Sequence, residues 1–215
     1  MADLGIVQCI HGEQPGVSED KAEQAFLPIL SEIASDFPEL RIVLEHISTR
    51  WGVFDVGVLP ANVAGTITPH HLWLSREDVF HEVGSIKAPW LYCKPTPKSP
   101  LDRAALISAA TSGNPKFFAG TDSAPHWPEF KALITPRPGN YCEPTALETY
   151  TQVFEMAGKL HRLGDFLSVF GAYFYGLPLN EVSITLNRTP RTVPTDYDGI
   201  VPSRARETIP WQVQT

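Results

Sequence analysis

The 215-residue chain has no apolar run approaching the roughly 18 residues a membrane-crossing helix needs, so a membrane protein of that kind is not expected. Basic residues are not in excess either: 17 lysines and arginines stand against 24 aspartates and glutamates, a net charge of −7 spread along the sequence. Nucleic-acid backbones and anionic membranes are met by clustered cations, so neither is expected as a main partner. Cysteine is scarce. Cys9, Cys93 and Cys142 cannot all pair, and their spacing fits no zinc ribbon or Cys-x-x-Cys motif. The opening MADLGIVQCIHGE lacks the basic n-region and small-residue cleavage pattern of a signal peptide. Internal repeats and low-complexity stretches are absent too. These absences together predict a soluble protein of a reducing compartment, cytoplasmic in location. Proline, by contrast, is plentiful: 20 residues, about twice ordinary usage, which points to many ordered loops. With 43% hydrophobic residues the chain can bury a real core, and a single domain over 1–215 is expected.

Strand-like and helix-like text alternates. GIVQCIH (5–11) is a short β-branched apolar run, read as a buried strand. After a Gly- and Pro-punctuated loop, apolar residues recur at Ala22, Phe26, Ile29/Leu30, Ile33 and Phe37, predicting a helix from Ser18 that Pro28 should kink or restart. LRIVLEH (40–46) is a second strand, so the first unit is βαβ and its strands should pair in parallel. VAGTIT (63–68) and KFFAGTD (116–122) continue the series, and WLYC (90–93) reads as a short extended piece. Ser99, Pro100 and Asp102 form a helix start, with a serine cap, proline at the first position and a carboxylate at the third. That helix should run to about Gly113. Residues 144–177 read as helical with a break near Gly164, and NEVSITLNR suggests a last strand. The alternation argues for an α/β fold on a parallel sheet.

The chemistry-bearing residues fall at the ends of these strands. His11 and His46 each close one. His70 and His71 follow the third, and Asp122 closes the fourth with His126 four residues on. Parallel α/β sheets carry their sites at the carboxyl ends of strands. Imidazole and carboxylate are zinc ligands, and three of them with an open position is the catalytic pattern. Each residue also has a plainer reading: a strand-end histidine can be structural, Asp122 can cap the Gly-Thr-Asp-Ser-Ala-Pro turn, and His126 can anchor a loop. His70 and His71 cannot share one site if their segment stays extended. His81 and His161 receive no role. Cys9 is expected in the core, and Cys93 has no base partner in sequence.

Several motifs occur in order: His11-Gly12-Glu13, Leu44-Glu45-His46-Ile47, Thr66-Ile67-Thr68-Pro69-x-His71, Leu91-Tyr92-Cys93-x-Pro95, Gly120-Thr121-Asp122-Ser123-Ala124-Pro125-His126, Pro144-Thr145-Ala146-Leu147 and Phe174-Tyr175-Gly176-Leu177-Pro178. Together they resemble the homodimeric-type dihydroorotases of the amidohydrolase superfamily, from residue 5 to about residue 180. GTDSAPH is the most specific of them. The resemblance implies a (β/α)8 barrel, a site for two zinc ions, and interconversion of N-carbamoyl-L-aspartate and L-dihydroorotate in pyrimidine biosynthesis. By similarity His11 and His46 would bind one zinc, while Asp122 would ligate the other and act as general acid/base. His126 would contact the substrate carboxylate. The segments around Lys94 and Pro138 would hold substrate mainly through the backbone, and Tyr92 and Cys93 would be scaffold.

The sequence also departs from the pattern. It has no His-x-His pair, and none of its seven lysines closes a strand before His11 to supply the bridging carboxylated residue. The resemblance begins at the family's fifth strand, so the expected architecture is a partial (β/α)8 barrel, strands five to eight, with C-terminal helices. Such a half-barrel should expose open edges and an apolar inner face, to be covered by a second copy or a missing half-barrel. A hydantoinase-type cyclic amidase, or a catalytically silent remnant acting as an assembly module, are the other readings.

Overall fold

The computed structural model describes residues 1–214. Strands β1 (Gln8–Ile10), β2 (Ile42–Leu44), β3 (Val63–Ile67) and β4 (Phe117–Ala119) form one sheet in the order β1-β2-β3-β4, parallel throughout. All four are shorter than their apolar runs, and the last residues of each run lie beyond the ladder, at the rim.

Helices connect them. α1 (Ala22–Asp36) joins β1 to β2, and α2 (Arg50–Val58) joins β2 to β3. After β3 come α3 (Pro69–Trp73), α4 (Arg76–Val79) and α5 (Pro100–Ala110). α6 (Pro128–Lys131), α7 (Ala146–Met156) and α8 (Phe170–Tyr175) follow β4, with 3-10 and π turns at 160–162 and 165–169. The tail makes two small antiparallel ladders: β5 (Leu186–Asn187) pairs with β8 (Gln212–Val213), and β6 (Arg191–Thr192) with β7 (Thr208–Ile209). Among the described residues no helix is long and apolar enough to cross a membrane.

Both faces of the sheet are buried along β2 and β3 and over most of β4, which is why these strands read as unbroken apolar runs. Ile42, Leu44, Ile67 and Phe117 point to the helices and join Leu30, Leu106, Tyr150 and Phe154 in the main core. Val43, Ala64 and Phe118 point the other way and pack against Phe170, Phe174 and Tyr175. The apolar inner face expected to stand open is thus closed at these three positions by the chain's own α8.

Local expectations were corrected in four places. Pro28 does not break α1, whose span is continuous; Pro28 and Gln24 are exposed, so the carbonyl that loses its donor is left to water. Ile29 and Phe37 lie on the exposed side, while the charged Glu23 lies on the buried one. Residues 89–91 form a 3-10 turn rather than an extended piece, with Pro89 fixing φ at its first position. Cys9 is not a core residue. β1 is an edge of the sheet, and the Cys9 thiol is exposed, 3.9 Å from the Tyr175 hydroxyl. The Ser99 cap of α5 is as read: its hydroxyl and the Asp102 carboxylate form the reciprocal capping box.

Candidate functional site

The four strands deliver their next residues to one rim. His11 and His46 meet there, His11 Nδ1 lying 3.0 Å from His46 Nε2 with the rings edge to face. His46 is 5% exposed, and its main-chain N–H donates to Thr66 Oγ1 at 2.8 Å. His46 and Asp122 both hold left-handed backbone, φ 40° and 44°. That conformation costs a non-glycine residue on the order of 1–3 kcal/mol and persists where the surroundings dictate it. The two strand-end residues singled out from sequence are therefore also strained.

Glu13 completes the pair. Its carboxylate accepts from His11 Nε2 at 3.0 Å, which places the His11 proton on Nε2 and turns the Nδ1 lone pair toward His46. That hydrogen bond pushes the His11 pKa up against the opposing effect of burial. Burial, then the neighbouring His11 charge, pushes His46 down to about 4. Burial acts to raise Glu13, but the His11 hydrogen bond and the charges of Lys98 and Lys94 outweigh it and hold its carboxyl below the usual range. Asp122 is raised, by desolvation first and then by Glu45, against the pull of His11.

A metal ion suits this pair. Two imidazoles on one tetrahedral zinc, each about 2.0–2.1 Å away, hold their nitrogens about 3.3 Å apart, close to the spacing seen. His46 Nδ1 is buried without a partner, as is Glu13 Oε1. Asp122 shares the rim, its charge felt at His11, but it does not close a compact three-donor group with the histidines. The one compact group among the described residues is His70, His71 and Cys93. His70 and His71 were expected to diverge in an extended segment. Instead they lie in α3, with ring centroids 4.6 Å apart.

The loop beyond β4 forms the second side. His126 Nε2 donates to the Pro138 carbonyl at 3.0 Å. Lys131 donates to the carbonyls of Tyr92 (3.1 Å), Arg137 (2.9 Å) and Gly139, tying this loop to the Tyr92 turn. Gly139 has φ 151°, and a Cβ there would stand 2.6 Å from the Ala124 carbonyl and 2.8 Å from the His126 ring. His126, Lys131 and Gly139 line a cleft of about 220 Å³ with Trp90 and Tyr141. Lys94 is exposed, paired with Glu19 at 3.1 Å, and its charge reaches His11 and Glu13.

Two supports of the site were not read from sequence. Glu13 had a signal, its place in His-Gly-Glu. Glu23 had none, since a carboxylate in the first turn of a helix usually faces solvent. Here Glu23 is 2% exposed and accepts four hydrogen bonds, from the N–H and hydroxyl of Ser48 (2.7 and 2.6 Å) and of Thr49 (2.9 and 2.5 Å). It fixes the loop that leaves His46.

A four-stranded parallel α/β sheet thus carries two imidazoles, a strand-end aspartate and a loop-held histidine on one rim. Over 99% of its length the chain is 46% identical to a dihydroorotase of Shewanella denitrificans, and over 100% it is 45% identical to one of Vibrio vulnificus. Among solved structures, dihydroorotase from Saccharomyces cerevisiae in complex with 5-fluoroorotic acid superposes with a TM-score of 0.91 at 34% identity, covering all of this chain and 64% of that one. A D-hydantoinase from Thermus shares the fold, with a TM-score of 0.81, at 14% identity, 99% of this chain and 55% of that one. No protein-family model matches the chain. The chain is thus a relative of the dihydroorotases along its whole length, and it spans 63–64% of the length of the two curated relatives named.

Proposed function

We propose that this chain forms the His11–His46–Asp122 side of a dihydroorotase active site, its four parallel strands serving as strands five to eight of a (β/α)8 barrel within a single domain over 1–215. The observation that carries this is the pair of imidazole nitrogens facing each other at 3.0 Å at the carboxyl rim, in a chain 45–46% identical to dihydroorotases.

His11 Nδ1 and His46 Nε2 would hold a zinc ion. Zinc bound there supplies Lewis-acid polarisation of the amide carbonyl and a water acidified toward neutrality. Glu13 orients His11 by taking its Nε2–H, the usual outer support of a metal-bound imidazole. Asp122 takes the proton of the attacking water and returns it to the ring nitrogen as the cyclic amide bond breaks. Its raised carboxyl suits a group that must hold a proton in transit. His126 spends its Nε2–H on Pro138, so Nδ1 is the ring atom left to face a substrate carboxylate. The backbone around Pro138 and Lys94 completes the substrate's seat. Of the residues that would hold the second zinc of the family site only Asp122 is matched in this sequence; the His-x-His pair and the bridging lysine are not, so a complete site needs further groups. A cytoplasmic location goes with this reading.

The test is zinc stoichiometry and dihydroorotate hydrolysis, measured on the chain alone and mixed with the complementary segment of the Shewanella relative. Asp122→Asn should abolish turnover in the active assembly while zinc stays bound, and His11→Ala should release one zinc. Unchanged turnover in Asp122→Asn, or unchanged zinc in His11→Ala, overturns the assignment. The absence of a His-x-His pair from the sequence favours a second reading, a silent assembly module. Full zinc occupancy with no turnover in any mixture decides for it.

A further inference from the structure

We propose a second metal site, made by His70, His71 and Cys93, that takes a thiophilic divalent ion of the zinc class and pins the 93–98 loop to the end of β3. The proposal does not depend on the catalytic reading. All three side chains are buried, 1%, 2% and 2% exposed, and their donor atoms lie within 4.8 Å of one another. An ion bonded to nitrogen at about 2.0–2.1 Å and to sulfur at about 2.3 Å spaces its ligands by roughly 3.3–3.8 Å. The group therefore closes on an ion by contracting at most about 1–1.5 Å per pair.

Each donor is prepared for this in a different way. The Pro95 carbonyl can only accept, so His71 carries its proton on Nε2 and donates at 3.0 Å. Nδ1 is then a lone pair, held at 2.8 Å by the Thr68 hydroxyl. A backbone carbonyl fixing the far nitrogen is the support that metal-bound histidines ordinarily have. On binding, the Thr68 hydroxyl yields Nδ1 to the ion and keeps its bond from the His71 N–H. His70 is the unexplained group. Neither of its ring nitrogens has a hydrogen-bond partner, although both are buried. Such orphans are rare in native proteins and call for an ion or an ordered water. Burial keeps the ring neutral, which leaves a lone pair to donate. Cys93 directs its thiol at the same Pro95 carbonyl, 3.3 Å away. Burial pushes that thiol far above its ordinary pKa, so without an ion it is inert. As sulfur bonds to the metal, the thiol proton leaves to solvent and no electron is transferred. The thiolate then offsets one of the two positive charges brought into the core. Because the three donors are buried, the site is closed to substrate and its role is structural.

Cobalt(II) added to the metal-free full chain distinguishes this site from the rim. A thiolate on cobalt gives a near-ultraviolet sulfur-to-metal charge-transfer band, and His11, His46 and Asp122 offer no sulfur. The band should appear at one equivalent per chain, vanish in Cys93→Ser and His70→Gln, and survive in Cys9→Ser and His11→Ala. Zinc should raise the thermal midpoint of the parent, and this shift should shrink in Cys93→Ser, a check that holds if His70→Gln folds poorly. No band at saturating cobalt, or a band that persists in Cys93→Ser, overturns the proposal. Loss of zinc from His11→Ala with the band intact would uphold both sites.

Discussion

Removing the Glu23 carboxylate should loosen the molecule at the loop that carries His46. Glu23→Ala strands the N–H groups of Ser48 and Thr49, which are 1% and 4% exposed, together with their hydroxyls. The hydroxyls can turn to new partners, but the amides cannot. A buried unsatisfied donor costs about 1–3 kcal/mol, and bonds to a charged acceptor lie toward the upper end. Two amides therefore predict a loss of about 3–5 kcal/mol. For a domain of this size each kcal/mol shifts the melting midpoint by roughly 2–4 °C, so the fall should be on the order of 10 °C. Urea unfolding followed by circular dichroism measures it, and the slope should stay constant if only stability changes. Glu23→Gln keeps one oxygen acceptor and should lose about half as much. A Glu23→Ala protein within about 0.5 kcal/mol of the parent would refute the idea that this carboxylate holds the loop.

Three further outcomes follow from the same geometry. Burial lowers Lys131 from 10.5 to about 8. Between those values the unfolded chain binds the extra proton, so this residue's contribution makes stability rise with pH; Lys131→Met should flatten the unfolding midpoint across that window, and an unchanged slope would count against the buried ammonium. Gly139→Ala should cost about 2–3 kcal/mol and displace the His126 ring, because the new methyl meets the Ala124 carbonyl at 2.6 Å; the His126 side-chain NMR signals and the melting midpoint report it. Asp102 caps α5 through Ser99 and also accepts from the Arg50 N–H at 3.0 Å, at the start of α2; Asp102→Ala should thus cost about 2 kcal/mol against about 1 for Ser99→Ala, and equal losses would show that the α2 contact contributes nothing.

How much was legible beforehand divides along a physical line. The strand-end positions of His11, His46 and Asp122 were readable, because an apolar run that ends in a polar residue marks where a buried strand reaches the rim. The Ser99 cap was readable because capping depends on neighbours three residues apart. Cys9 was misplaced, since strand periodicity gives the face of a residue but not whether that face is covered. Pro28 was overweighted for a similar reason: the lost hydrogen bond matters little where water replaces it.

The sequence alone determined the alternation of strands and helices, the parallel pairing that βαβ units impose, and the donors that close each strand. These depend on local periodicity and on chain connectivity, which the order of residues encodes directly. Only the tertiary structure decided that α8 covers the inner face, that Glu23 turns inward to hold Ser48 and Thr49, and that His70, His71 and Cys93 meet. Those contacts join residues far apart in the chain, or depend on a helix forming where extended chain was expected. Their energies come from burial and from hydrogen bonds that exist only once the whole sheet has assembled.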